Sequence, residues 1–139
     1  MSLWKEPTVS TSETYNMCFA CGKDNPIGLK LEFQEEGDVV RSEFTPSELH
    51  EGWPGFVHGG ILSTILDEAM GYATILQGIN CVTAKMEVRL RKQAPVGERL
   101  LISSSISHRT KRLIETEATL RLEDGSLVAE GKAMMYVVK

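Results

Sequence analysis

The stretch PGFVHGGILSTILDEAMG, residues 54–71, joins a glycine-rich turn to a long apolar run, and the rest of the chain is read around it. Upstream, HEGWPGFVHGG (residues 50–60) holds four glycines and a proline, a mix that neither a helix nor a strand interior tolerates, so it is a shaped loop. Downstream, Ile61 to Leu76 is apolar on most sides, which predicts an enclosed helix. Glycine costs about 1 kcal/mol relative to alanine in a helix, so Gly59 and Gly60 at its start imply that something approaches the backbone there. No Ser, Thr, Asp or Asn precedes the helix, and its first N–H groups are expected to stay free for an oxygen carrying negative charge, with His58 at the mouth. A tight turn between loop and sheet explains the same glycines.

Gly60, Ser63, Thr64, Gly71 and Thr74 share a helix face with Asp67 and make a small, polar seam. A carboxylate on such a seam is suited to act as general base or nucleophile on a carbonyl held by free N–H groups. The plain alternative is that Asp67 or Glu68 is solvated at a helix edge.

Outward from the helix, both flanks read as strands. Leu29, Leu31 and Phe33 alternate with polar residues, and Gly37-Asp38 turns the chain into Val40 and Phe44, which predicts a first hairpin. After the helix, Val82–Leu90, Arg99–Ser107, Ile114–Leu122 and Leu127–Val138 follow as four strands, the last two joined by Asp124-Gly125. One helix against an antiparallel sheet is an α+β arrangement. A single helix covers only one sheet face, so pairing with a second copy is expected.

The chain has 139 residues, the size of one domain, with residues 1–17 as a flexible lead-in and 18–139 as the folded unit. Charged residues make up 24% and apolar ones 42%, which excludes disordered and fibrous classes. The net charge of −4 argues against a nucleic-acid or membrane-surface binder. No apolar run reaches a membrane span, and the N-terminus lacks a signal-peptide core, so a cytoplasmic location is expected. Cys18, Cys21 and Cys81 are then read as thiols. Cys18-Phe19-Ala20-Cys21 has the spacing of half a zinc site, but no second such pair or paired histidine follows, and a metal-free structural segment is the expectation.

The segment PGFVHGGILSTILDEAMG resembles the centre of hotdog-fold acyl-CoA thioesterases, the superfamily of the phenylacetyl-CoA and 4-hydroxybenzoyl-CoA enzymes. CFACGKDNPIGLKLEF before it, and RLRKQAPVGERL and EDGSLVAEGKAMMY after it, are similar to flanking segments of the same family. The resemblance implies a long helix wrapped by an antiparallel sheet, assembly as a homodimer or homotetramer, and hydrolysis of an acyl- or aryl-CoA thioester without a cofactor. It implies that the Gly59 N–H polarises the thioester carbonyl, that Asp67 is nucleophile or base, and that His58 lies near the thioester. Thr83 would help hold the attacking water from the partner subunit. Where many relatives carry asparagine, six residues before the histidine, this chain has Gly52, which leaves His50 and Glu51 as candidates for that orienting role.

Gly60 and His50 are expected at the substrate, and Arg91, Arg109, Lys111 and Arg112 are candidates to clamp the coenzyme A phosphates, with solvated surface charges as the plain reading. The family also holds dehydratases and binding proteins, so a hotdog hydratase or dehydratase and a non-catalytic acyl-CoA-binding regulator are the competing functions.

Overall fold

The computed structural model describes residues 16–138; the lead-in expected over 1–17 lies outside the described residues, except for Asn16 and Met17, which sit in a turn. Helix α1 (Gly59–Ile75) begins at the two glycines and ends one residue before the predicted limit. Its Leu62, Ile65, Leu66, Ala69, Met70 and Ala73 are buried, three and four residues apart along one face. Each large aliphatic among them contributes on the order of 1.5–3 kcal/mol through burial.

Strands β1 (Gln34–Glu36), β2 (Val39–Phe44), β3 (Cys81–Leu90), β4 (Leu100–Arg109), β5 (Leu113–Arg121) and β6 (Leu127–Val137) form one sheet in the order β1-β2-β4-β5-β6-β3. All pairings are antiparallel. The alternation read in the sequence lays Leu100, Ile102, Ala118, Leu120, Ala129, Ala133 and Met135 in one core with α1. Ile102 and Ser104 share a face of β4, and the Ser104 hydroxyl donates to the Ala69 carbonyl at 2.5 Å, tying strand to helix.

The first hairpin is shorter than the alternation of Leu29, Leu31 and Phe33 implies. Leu29 and Leu31 are buried as expected, but their N–H groups donate to Phe19 and Ala20 carbonyls, both at 2.9 Å, and the ladder with β2 begins only at Gln34. The segment from Asn16 to Leu31 thus folds on itself against the core. At the other end of the sheet, β3 is an edge strand ten residues long. It follows α1 through a short turn and runs beside the helix, from Cys81 near its C-terminus to Leu90 near its N-terminus.

Candidate active site

At the helix start, His58 is the N-cap and its Nδ1 accepts from the Gly60 N–H at 2.8 Å. The first N–H groups are therefore not all free: an imidazole two residues before Gly60 reaches the amide that Asn or Asp ordinarily serves. Only the Gly59 N–H lacks an acceptor among the described residues. With Nδ1 accepting, the neutral ring carries its proton on Nε2. A Cβ on Gly60 would lie 3.0 Å from His58 Nδ1 and 3.1 Å from Cε1, so glycine is what lets the ring close over the amide.

Gly52 faces the same histidine. A Cβ there would lie 3.0 Å from His58 Cα, and the backbone occupies the space that a side chain at this position would need. His50 and Glu51, the candidates for the orienting role, hydrogen-bond within the loop. The His50 Nδ1 accepts from the Ser47 N–H at 2.9 Å in a short helical turn, Glu48–His50, and its ring lies edge-on to Phe44. Glu51 Oε2 accepts from the Gly55 N–H at 3.4 Å. Both brace the loop, and the His50 carbonyl accepts the His58 N–H at 2.9 Å. A cleft of about 430 Å³ opens there, lined by Gly52, Trp53, Val57, His58 and Gly59.

Asp67 lies two turns further along α1. The Thr83 hydroxyl donates to Asp67 Oδ1 at 3.3 Å. A bulge between Thr83 and Lys85 in the β3–β6 ladder adds one residue just after Thr83, a distortion of the kind that re-aims a neighbouring side chain. The resemblance has Thr83 come from a partner subunit; here it reaches Asp67 of its own chain, because β3 returns directly alongside α1. Asp67 is exposed on the single chain, yet desolvation by the surrounding protein raises its pKa above the ordinary 3.8, and the Thr83 hydrogen bond opposes the shift.

Gly59 and Asp67 are not brought together. Eight residues of helix separate them by about 12 Å along the axis. No carbonyl group can lie within about 3 Å of both, the reach that attack and oxyanion stabilisation require.

The four basic candidates also divide. Arg91 follows Leu90, whose Cδ1 would lie 3.0 Å from a Gly59 Cβ, and its guanidinium pairs with Glu130 at 2.9 Å. Arg109, Lys111 and Arg112 are exposed in and beside the β4–β5 turn, and the Arg109 charge acts on Cys81, two residues before Thr83. Thr83 and Leu90 are about 23 Å apart along β3, so the four do not form a single clamp on one chain. A further cleft of about 440 Å³ on the sheet, with Lys85, Glu87, His108 and Glu117 in its walls, touches none of these residues.

Sequence reasoning missed what surrounds Glu68. The Cys18 thiol lies 3.7 Å and 4.0 Å from its two oxygens, and the Cys21 sulfur lies within 4.8 Å of both the Cys18 sulfur and the Glu68 carboxylate. Burial pushes the Cys21 thiol up to about 12 and raises Glu68 as well, against hydrogen bonds from the two thiols. Fifty residues separate Cys18 from Glu68, and no local pattern links them.

The family model described as thioesterase superfamily matches residues 54–129, and the chain belongs to that superfamily. Acyl-coenzyme A thioesterase THEM4 of Xenopus laevis is 27% identical over 94 residues, covering 68% of this chain and 42% of the relative. The chain thus spans about two fifths of that relative's length. The Escherichia coli PaaI protein from the phenylacetic acid degradation operon superposes with a TM-score of 0.78 at 17% identity, over 92% of this chain and 91% of that one. Protein smu.793 of Streptococcus mutans, solved with acetyl-CoA bound, gives a TM-score of 0.73 at 23% identity over 78% and 88%. One helix packed on a six-stranded antiparallel sheet is the hotdog fold these structures share. Among the described residues no helix is long and apolar enough to cross a membrane.

Proposed function

We propose that this chain is an acyl-CoA thioesterase, hydrolysing an acyl- or aryl-CoA thioester to a carboxylic acid and free coenzyme A. The carrying observation is Asp67, a carboxylate exposed on the single chain whose Oδ1 accepts from the Thr83 hydroxyl, on a helix whose first residue, Gly59, offers an N–H without an acceptor among the described residues. An elevated pKa makes Asp67 a stronger base than a solvated aspartate. A helix N-terminal N–H suits the negative charge that develops on the thioester oxygen.

The 12 Å between the two groups makes two copies the functional unit. In each chain Gly59 lies against Leu90 and Asp67 against Thr83, at the two ends of the α1–β3 pair. Antiparallel pairing of two β3 edges about Met86 sets Leu90 of one copy opposite Val82, beside Thr83, of the other. Gly59 of the partner subunit then approaches Asp67, and a homodimer, or a tetramer built from dimers, carries complete sites.

The partner's Gly59 polarises the carbonyl, and Asp67 either deprotonates the attacking water or adds to the carbonyl carbon, giving an anhydride that water opens. Both routes break the C–S bond, and coenzyme A leaves as a thiolate that takes up a proton. His58, fixed on the Gly60 amide, orders the helix start. Arg109, Lys111 and Arg112, exposed toward the Thr83 end, bind the nucleotide phosphates on this reading. Three free thiols suit a reducing compartment such as the cytoplasm.

The test is thiol release from aryl-CoA and from short- to long-chain acyl-CoA substrates by wild type, Asp67→Ala and Asp67→Asn. Thiol release by the wild type alone, with all three proteins folded by circular dichroism, is the expected result. A folded, active Asp67→Ala removes Asp67 from the chemistry. Binding without thiol release by any of the three favours the regulator or dehydratase readings.

A further inference from the structure

Residues 16–31 carry a second cluster of reactive groups, apart from the Asp67–Thr83 pair. The Gly22 N–H donates to the Cys18 carbonyl at 2.8 Å and the Asp24 N–H to the Asn16 carbonyl at 3.0 Å, closing the chain into a compact knuckle. Gly22 is required there: a Cβ would lie 2.3 Å from the Asn16 oxygen and 2.5 Å from the Cys18 nitrogen. Ala20, Leu29 and Leu31, all buried, anchor the knuckle in the core. The turn presents both cysteines to the face of α1 that carries Glu68.

One sulfur from each cysteine and one Glu68 oxygen lie within 4.8 Å of one another. Zinc–sulfur bonds of about 2.3 Å and zinc–oxygen bonds of about 2.0–2.2 Å, at tetrahedral angles, require S···S near 3.8 Å and S···O near 3.5 Å. The Cys18 sulfur already lies 3.7 Å from Glu68 Oε2, so small side-chain rotations complete the geometry. Glu68 is half-buried and forms no ion pair with Lys, Arg or His among the described residues. A half-buried carboxylate faced by two thiols and by no cation is a donor set in want of positive charge.

We propose that Cys18, Cys21 and Glu68 form a structural zinc site that clips the N-terminal knuckle to helix α1. Two sulfurs and one oxygen favour a borderline-soft ion over Mg²⁺ or Ca²⁺. As each zinc–sulfur bond forms, the thiol proton passes to solvent. A water, or the hydroxyl of neighbouring Tyr72, whose ring stacks on Phe33 at 4.6 Å, would fill the fourth position. Half-exposure of both cysteines leaves the ion a path in from solvent. The clip is independent of thioester hydrolysis, and its readout is the metal itself.

The full chain is produced with zinc, dialysed against metal-free buffer, and assayed by elemental analysis and by reconstitution with cobalt(II). One zinc per chain is expected, together with a thiolate-to-cobalt absorption band, both withstanding a large excess of Mg²⁺. Cys18→Ser and Cys21→Ser should bind zinc at least about a hundredfold more weakly, since even groups outside the ligand shell are worth 10–100-fold. Cys81→Ser should retain the ion. Glu68→Gln keeps both sulfurs and the side-chain shape, and is expected to keep a shifted cobalt band at reduced affinity, which serves if either cysteine variant fails to fold. The proposal is overturned if the reconstituted wild type holds no zinc, if Cys18→Ser and Cys21→Ser retain it fully, or if intact mass shows a Cys18–Cys21 disulfide in the zinc-treated chain.

Discussion

Asp67 is subject to two opposed influences, desolvation by the surrounding protein, which favours its neutral form, and the Thr83 hydroxyl, which favours the anion; desolvation is the larger. The folded chain therefore holds this proton more tightly than the unfolded chain does. Ionising Asp67 costs folding free energy at any pH above its raised pKa, and that cost is gone below the ordinary value of 3.8. Asp67→Asn keeps the shape and the Thr83 contact without the charge, so it should melt higher than wild type at neutral pH. The advantage should shrink to nothing as pH falls toward 3.8. Thermal melts of both proteins across that range check the sign. Thiol release by the wild type should rise with pH through the same elevated pKa, because only the carboxylate attacks or accepts a proton. A wild type that melts above Asp67→Asn at neutral pH would mean that Thr83, not desolvation, governs this carboxylate.

Helix α1 depends at its N-terminus on one side chain, because the His58 imidazole is the acceptor for Gly60. His58→Ala should cost about 1 kcal/mol, the usual loss for a missing N-cap. His58→Asn supplies a short acceptor at the same place and should recover most of it. Chemical denaturation of the two variants separates capping from any role of the ring in turnover, since Asn restores the first and not the second. The extent of α1 was readable within a residue or two because its apolar period is local and strong. Val82–Leu90 and the later strands were readable for the same reason, through alternation and turn residues. Leu29 and Leu31 show the limit: alternation says which side chains are buried, but their hydrogen-bond partners at Phe19 and Ala20 depend on how a distant turn folds back. His58 as a cap was missed because histidine is rare in that role, and Glu68 beside Cys18 because contacts across fifty residues leave no periodic trace.

In the whole molecule the exposed edge at β3 stands out. Among the described residues, ten residues of strand lie unpaired on one side, with Met86 at 39% and Leu90 at 56% exposure, and neither a proline nor a covering loop protects the backbone. Soluble proteins seldom leave so long an edge open, because it templates pairing with another chain. Lys85, Glu87 and Arg89 alternate with Ala84, Met86, Val88 and Leu90, so an antiparallel copy buries the apolar row and sets Glu87 near opposite charges. Met86 lies close to the axis of that pairing and meets its own symmetry mate. Met86→Asp places two carboxylates face to face there, and like charges opposed across a strand pair are destabilising. Light scattering should then give the 15.4 kDa of a single chain, where the wild type gives at least twice that mass. Turnover should fall with the dimer even though Asp67, Thr83 and Gly59 are untouched in each chain, because no single chain brings the Gly59 N–H to the Asp67 carboxylate. A monomeric Met86→Asp variant with full activity would require some other group of the same chain to polarise the thioester, and the 12 Å of helix between Gly59 and Asp67 leaves Gly59 unable to be that group.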